Sequence, residues 1–551
     1  MSPAKEEERT TMSSSTTESM AETTKTEEIS EARAAVRGTL VTLLFRLVSF
    51  VCTQATFRLL DPTTLGKASI QLELLLTTVL FISREGFRLA LTRNVSPDNW
   101  QVAWLTLPTV SLVTLISVFW HVTHSSNEND MDYRIGGLLY CLAAWIEGCG
   151  EPAVLHYLRQ MNVAKRASAE GMATVAKTVA TIVGLKLVPS EYHVTAFGTA
   201  QLVYALVYSG YLYAGAWKVL IVPPTLKLSS FDGPTCYMTL VFTIQGFFKH
   251  LLTEADRIVL TAVSNNYNQG VYAMGSSYGG MAARILLQPL EENARLLWSR
   301  LAGRQNKDSS NSKKNFDELE LSYTMLVKLV LYIGLVFSCI AVNYTNLLLS
   351  LLAGRKWGRN MEAANVLSAF CVYTAFLAWN GMTEAFVYGV ASSGQEIGRL
   401  GMAHTVTGIT FAICAYFLVS HHGTVGLVAA NCIAMALRSM YSIHFAARFF
   451  GQQQTQRTNT VLRRLLVSIV PHPALLLGFA ASWVGTRWTL QQLQSQNLHM
   501  SMDYRDKEWL YLTGQHLAMG VSCVVGIASL GVSLEVGFLR SLRSMIRPKQ
   551  D

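Results

Sequence analysis

The sequence predicts an all-α polytopic membrane protein with about fourteen transmembrane helices. Three observations carry this prediction. Half of the 551 residues are hydrophobic and only 15% are charged, against about 25% charged in soluble domains; the mean hydropathy is +0.28. Apolar runs long enough to cross a bilayer, which takes ~20 residues per helix, recur along nearly the whole chain. The bases lie between those runs and do not gather on one polar face, so the net charge of +9 argues for membrane orientation and against nucleic-acid binding. A soluble enzyme is excluded.

At the start of the chain, residues 1–36 are rich in Ser, Thr and Glu, lack aromatics and read as a disordered tail. Their eight acids and four bases leave −4 there, so the remainder carries four charges more than the total, +13. The tail lacks the basic start and short apolar stretch of a cleavable signal. The apolar runs after it are 37–59, 64–92, 98–121, 133–160, 165–188, 192–222, 235–263, 267–300, 319–353, 361–391, 396–420, 422–450, 462–488 and 508–540.

Orientation follows from Lys and Arg in the links. With the N-terminus in the cytoplasm, the cytoplasmic links hold Arg88 and Arg93, Arg159, Lys165 and Arg166, Arg300 and Arg304, and Arg448, Arg457, Arg463 and Arg464. The opposite links are poorer in bases, except one with Arg355, Lys356 and Arg359. Both termini are expected in the cytoplasm.

Three ordered matches suggest an internal repeat. Arg84–Leu89 resembles Glu291–Leu296, Trp145 to Glu151 resembles Trp379 to Glu384, and Ala200, Ser209 and Tyr211 resemble Ala430, Ser439 and Tyr441. Each pairs a span with the sixth one after it. The expected organisation is a six-helix bundle over 37–222, a second over 235–450, two further helices over 462–540 and a cytoplasmic tail over 541–551.

Ionisable residues inside spans cost several kcal/mol unless they face water or a partner. Arg46 in the first span either snorkels, pairs or marks a water-filled cavity. Glu85 and Arg88 share a helix face and are expected to pair. Lys249, His250, Glu254, Asp256 and Arg257 lie within nine residues of the seventh span; Glu254 and Arg257 share a face, and Lys249 is a candidate anion holder. The eighth span carries Arg284, Glu291, Glu292 and Arg295, with Pro289 able to bend it. Glu151-Pro152 and Asn380-Gly381, beside Glu384, are candidate kinks. Asn343-Tyr344-Thr345 matches a glycosylation sequon inside or beside the ninth span, where its use is doubtful. The nine cysteines form no CxxC pair, no metal-ligand spacing is present, and nucleotide-binding and hydrolase motifs are missing. No cofactor and no enzymatic activity are expected.

Seven stretches carry a resemblance. They are Leu44-Phe45-Arg46-Leu47, Arg58-Leu59-Leu60, Phe81 to Arg88 (FISREGFR), Glu147 to Pro152 (EGCGEP), Lys249 to Arg257 (KHLLTEADR), Gln288 to Glu292 (QPLEE) and Asn380 to Phe386 (NGMTEAF). Together they resemble the Rft family of oligosaccharide-lipid translocation proteins, from about residue 37 to about residue 450. The resemblance implies a fold similar to the multidrug and oligosaccharidyl-lipid exporter superfamily, which includes lipid II flippases. It also implies residence in the endoplasmic reticulum and a role in dolichol-linked oligosaccharide assembly for N-glycosylation. The implied substrate is the heptasaccharide on dolichyl diphosphate, moved from the cytoplasmic to the lumenal leaflet.

The family's polar residues fall on Arg46, Arg84, Glu85, Arg88, Glu151, Lys249, Glu254, Arg257, Glu292 and Glu384. The expected diphosphate site is Arg46, Arg88, Lys249 and Arg284. Glu85, Glu151, Glu254, Arg257, Glu292 and Glu384 are expected to hold ion pairs or act at bends. Two alternatives stay open: a non-transporting scaffold that binds the glycolipid, and a cation-coupled exporter of small molecules.

Overall fold

The computed structural model describes residues 53–93, 100–125, 130–160, 162–220, 231–307, 312–391, 393–454, 456–495 and 507–546. The acidic tail, Arg46 and nearly all of the first span lie outside these residues. Packing divides the chain into Met1–Thr56 and a unit from Phe57 to Asp551, and every helix from residue 62 onward belongs to the second.

The described residues of this unit are overwhelmingly α-helical, and each apolar run from 64 onward is occupied by helix. In order these are α1 Pro62–Arg93, α2 Trp100–His124 and α3 Met131–Arg159, then α4 Val163–Leu187 and α5 His193–Leu220. The seventh run holds two helices, α6 Gly233–Thr253 and α7 Ala255–Val263. The eighth holds α8 Asn266–Ala282 and α9 Gln288–Lys307, joined by a π turn over Ala283–Leu287. Then come α10 Ser312–Cys339, α11 Thr345–Leu352, α12 Met361–Val390 and α13 Gly394–Gln454. Last are α14 Thr458–Ile469, α15 Pro473–Ser495, α16 Lys507–Leu534 and α17 Val536–Ile546. Among the described residues seven helices are long and apolar enough to cross a membrane, and α14 with α15, bent by 54°, can form an eighth.

Where the runs break, the chemistry is local. α3 is interrupted at Gly150: Pro152 cannot donate to the Gly148 carbonyl, Ala153 N–H turns to the Gly150 carbonyl at 3.1 Å, and α5 sets hydroxyls on carbonyls just before the break. Tyr213 OH donates to the Cys149 carbonyl at 2.6 Å and Ser209 Oγ to that of Ile146 at 3.0 Å. The π turn before Pro289 widens the helix at the proline, as helices commonly do there. Asn380-Gly381, by contrast, does not interrupt α12, which runs unbroken from Met361 to Val390. α13 is two legs meeting at Gly423, whose φ of 57° is a left-handed conformation that glycine adopts freely.

Two of the apolar cores among the described residues join the later helices of each half of the chain. One joins α3, α4 and α5 through Val154, Ala169, Ala173, Tyr208 and Leu212. The other joins α9, α10, α12, the second leg of α13 and α14 around Trp298, Tyr323, Phe386 and Phe450. Edge-to-face packing of Trp298 on Phe386, at 5.3 Å between rings, suits the aromatic quadrupole.

The run 319–353, expected as one span, breaks at Cys339–Tyr344 because the last helices use its polar atoms. Asn343 Nδ2 donates to Thr486 Oγ1 at 2.8 Å, and Tyr344 OH donates to the His516 carbonyl at 2.6 Å. Asn343 is only 2% exposed, so its sequon is closed in the folded chain. Glu535, inside the expected 508–540 span, sits at the junction of α16 and α17, where Lys328 and Tyr332 of α10 hydrogen-bond its carboxylate.

Candidate functional site

Most of the described candidate residues fall into three groups. The first spans α1 and α3. Arg88 donates through Nε and Nη2 to the two oxygens of Glu151, at 2.5 and 2.8 Å, and Arg84 donates to Glu147 at 2.8 Å. Glu151 is 1% exposed and Glu147 6%. A buried carboxylate needs such a partner, and the bidentate fork of an arginine is the strongest available. The sequence expectation placed Glu85 with Arg88. The structure gives Arg88 to Glu151 and sets Glu85 against α6, where a Cβ at Gly246 would lie 3.7 Å from its Cγ. The break in α3 explains the exchange: it starts a new turn at Glu151 and brings that carboxylate onto α1.

The second group gathers where α6 gives way to α7. Glu254 occupies the break and accepts from Arg257 at 3.0 Å, the pairing that the spacing predicts. Asp256 accepts from Tyr272 OH of α8 at 3.0 Å. His250 turns the other way: it hydrogen-bonds Thr78 at 3.0 Å and stacks on Phe81, both on α1. Lys249 is exposed, with no ion-pair partner among the described residues.

The third group lies between α9, α12 and the first leg of α13. Glu384 pairs with His404 at 2.9 Å. Glu291 lies against Gly381, where a Cβ would come within 1.9 Å of its Oε1; any side chain at 381 would displace that carboxylate. Glu292 and Arg284 are exposed on the same stretch. The stretches matched in the sequence differ in their partners. Arg84 and Arg88 of α1 meet carboxylates on α3, whereas at the corresponding place in α9 and α12 acid faces the helix of another acid.

Of the four residues expected to hold a diphosphate, Lys249 and Arg284 are exposed, Arg88 is engaged by Glu151, and Arg46 lies outside the described residues. Sequence reasoning placed His250 in the cluster of the seventh span without its partners on α1, and missed His404. A half-buried glutamate inside an apolar span favours a base on a neighbouring span, and that preference could have singled out His404.

Around these groups, α1 is closely packed against later helices. A Cβ at Gly270 of α8 would fall 1.7 Å from the Pro62 carbonyl oxygen, and one at Gly86 would fall 2.0 Å from Thr243 Oγ1 of α6. Just ahead of α1, Arg58 donates Nε to the Leu352 carbonyl at 2.9 Å and Nη2 to that of Leu351 at 2.7 Å. Trp357 Nε1 donates to the Phe57 carbonyl at 2.8 Å, and Lys356 pairs with Asp61. The basic link that dissented from the charge rule thus has a local use, as a clasp on the segment leading into α1.

Broken helices carrying paired and exposed ions within apolar spans define a multi-pass membrane protein of transporter-like fold. In fold it is similar to the lipid II flippase MurJ in an inward closed conformation (TM-score 0.58, 10% identity, covering 93% of this chain and all of that one). The chain belongs to the Rft protein family, whose pattern matches residues 30–542. It is 29% identical over 453 residues to the Man(5)GlcNAc(2)-PP-dolichol translocation protein RFT1 of Mus musculus, covering 76% of this chain and 82% of that one. With the protein of the same name from Xenopus tropicalis it shares 26% identity over 530 residues, 91% of this chain and 94% of that one.

Proposed function

We propose that the protein carries a dolichyl-diphosphate-linked Man(5)GlcNAc(2) oligosaccharide from the cytoplasmic to the lumenal leaflet of the endoplasmic reticulum membrane, by alternating access and without covalent chemistry. Membership of the Rft family across 30–542 carries this reading. The exposed cations in apolar spans, Lys249 and Arg284, give the diphosphate its counter-charges, together with Arg46. Arg88 joins them when movement at the Gly150 break withdraws Glu151; its fork suits a diphosphate better than a lysine does. The sugars lie in water between two six-helix bundles and the polyprenyl tail in lipid. Both termini face the cytoplasm.

The test is reconstitution of the purified protein in sealed vesicles with labelled glycolipid. Faster exchange between leaflets is the expected result, with K249E slowing it by on the order of 10-fold through like-charge repulsion. Binding of the glycolipid with no acceleration would overturn transport in favour of a scaffold. Unimpaired exchange in K249E would remove Lys249 from the site.

A further inference from the structure

The two legs of α13 do not pack together along their whole length. Between the start of the first and the end of the second lies a cavity of about 710 Å³, within the range of small-molecule sites. Met402, Val406, Leu437, Phe445 and Phe449 supply apolar lining, and Arg399, His444 and Arg448 are among its polar lining residues. Both arginines are exposed, and neither has a hydrogen bond or ion pair among the described residues. One acid, Glu396, shares the lining. All the lining residues belong to α13, and none of them is an ionisable residue of the three groups described above.

We propose that this groove binds one anionic glycerophospholipid, its phosphate on Arg399 and Arg448 and an acyl chain along Met402, Val406 and Phe445. Charge selects the occupant. Two guanidiniums against one carboxylate leave an excess positive charge beside an apolar recess, and guanidinium matches phosphate geometrically. Basic recesses between transmembrane helices on the cytoplasmic side suit anionic headgroups, and the charge rule assigns this end of α13 to the cytoplasm. The proposal goes beyond glycolipid transport and does not rest on it.

The full-length protein, in phosphatidylcholine vesicles holding a trace of diazirine-labelled phosphatidylserine, tests it. Photolysis is expected to label peptides from 394–454, with unlabelled phosphatidylserine competing and added phosphatidylcholine not. R399Q/R448Q is expected to lower that labelling by about 5-fold or more, given about 1 kcal/mol per basic residue near an anionic surface. R399K/R448K, which keeps the charge and loses the fork, is expected to label between the unaltered protein and the glutamine variant. Equal competition by phosphatidylcholine would overturn the proposal, as would undiminished labelling of a folded R399Q/R448Q. Preferential competition by dolichyl diphosphate would also overturn it and would place the groove on the substrate's path. The competition arms use unaltered protein, so they decide the matter even if the glutamine variant fails to fold.

Discussion

Single side chains decide the geometry at two places. Glu151 is 1% exposed and both its oxygens are taken by Arg88, so removing it strands a guanidinium inside the protein. E151A is expected to lose about 3–5 kcal/mol of stability in denaturant unfolding of the detergent-purified protein. R88M/E151L, which removes both charges and keeps volume, is expected to lose much less. At Gly381 the cause is space, because a Cβ would sit 1.9 Å from Glu291 Oε1. G381A is expected to destabilise by about 1–3 kcal/mol, and G381A/E291A to recover most of that in the same assay. Full stability of G381A alone would mean that the Glu291 side chain moves away freely.

Helix breaks and helix crossings belong to the scale of elements. Gly270 admits the Pro62 carbonyl, so G270A is expected to cost about 1–3 kcal/mol. G514A in α16, where nothing lies within 4 Å of an added Cβ, is expected to be neutral or slightly stabilising. Thermal unfolding of the two variants side by side checks the contrast. Existence of the helices from 64 onward was legible in the sequence, because a bilayer imposes length and apolarity on each. Breaks were legible only where their cause is local, as at Glu151-Pro152 and Pro289. The run 462–488 carried its own signal in Pro471 and Pro473 and nevertheless reads as continuous by hydropathy, since both prolines are compatible with an apolar window. The break after Cys339 was not legible. Its cause is the pull of Thr486 and His516, more than 140 residues away, and no local pattern encodes that.

At the scale of the whole molecule, the candidate site was legible as residue types and only partly as partners. Arg88, Glu151, Glu254, Arg257 and Glu384 were visible because charge inside a span is costly. Pairing within one helix could be read from spacing, as with Glu254 and Arg257. Pairing between helices could not, so Arg88 was joined to Glu85. The clasp at Arg58 was likewise invisible, for it joins residues almost 300 positions apart. If the proposed alternating access separates these two segments, the clasp opens once in each cycle. Joining D61C to K356C with a cleavable thiol cross-linker is expected to arrest leaflet exchange in vesicles, and cleaving the linker to restore it. Continued exchange with the linker in place would show that the clasp stays shut throughout the cycle.

The clasp has a further consequence, for how the sequence can drift. Arg58 binds main-chain oxygens, and the Trp357 indole does the same on the opposite segment. Every amino acid offers that oxygen, so the identities of Leu351, Leu352 and Phe57 are not read by these bonds. Substitutions there leave the acceptors in place, and no compensating change in a partner is required. Only the donors are constrained, and unevenly: lysine at 58 would supply the charge without the fork. In a comparison of many family members, this contact would therefore show a fixed donor beside freely varying acceptors, with no covariation to reveal that they touch.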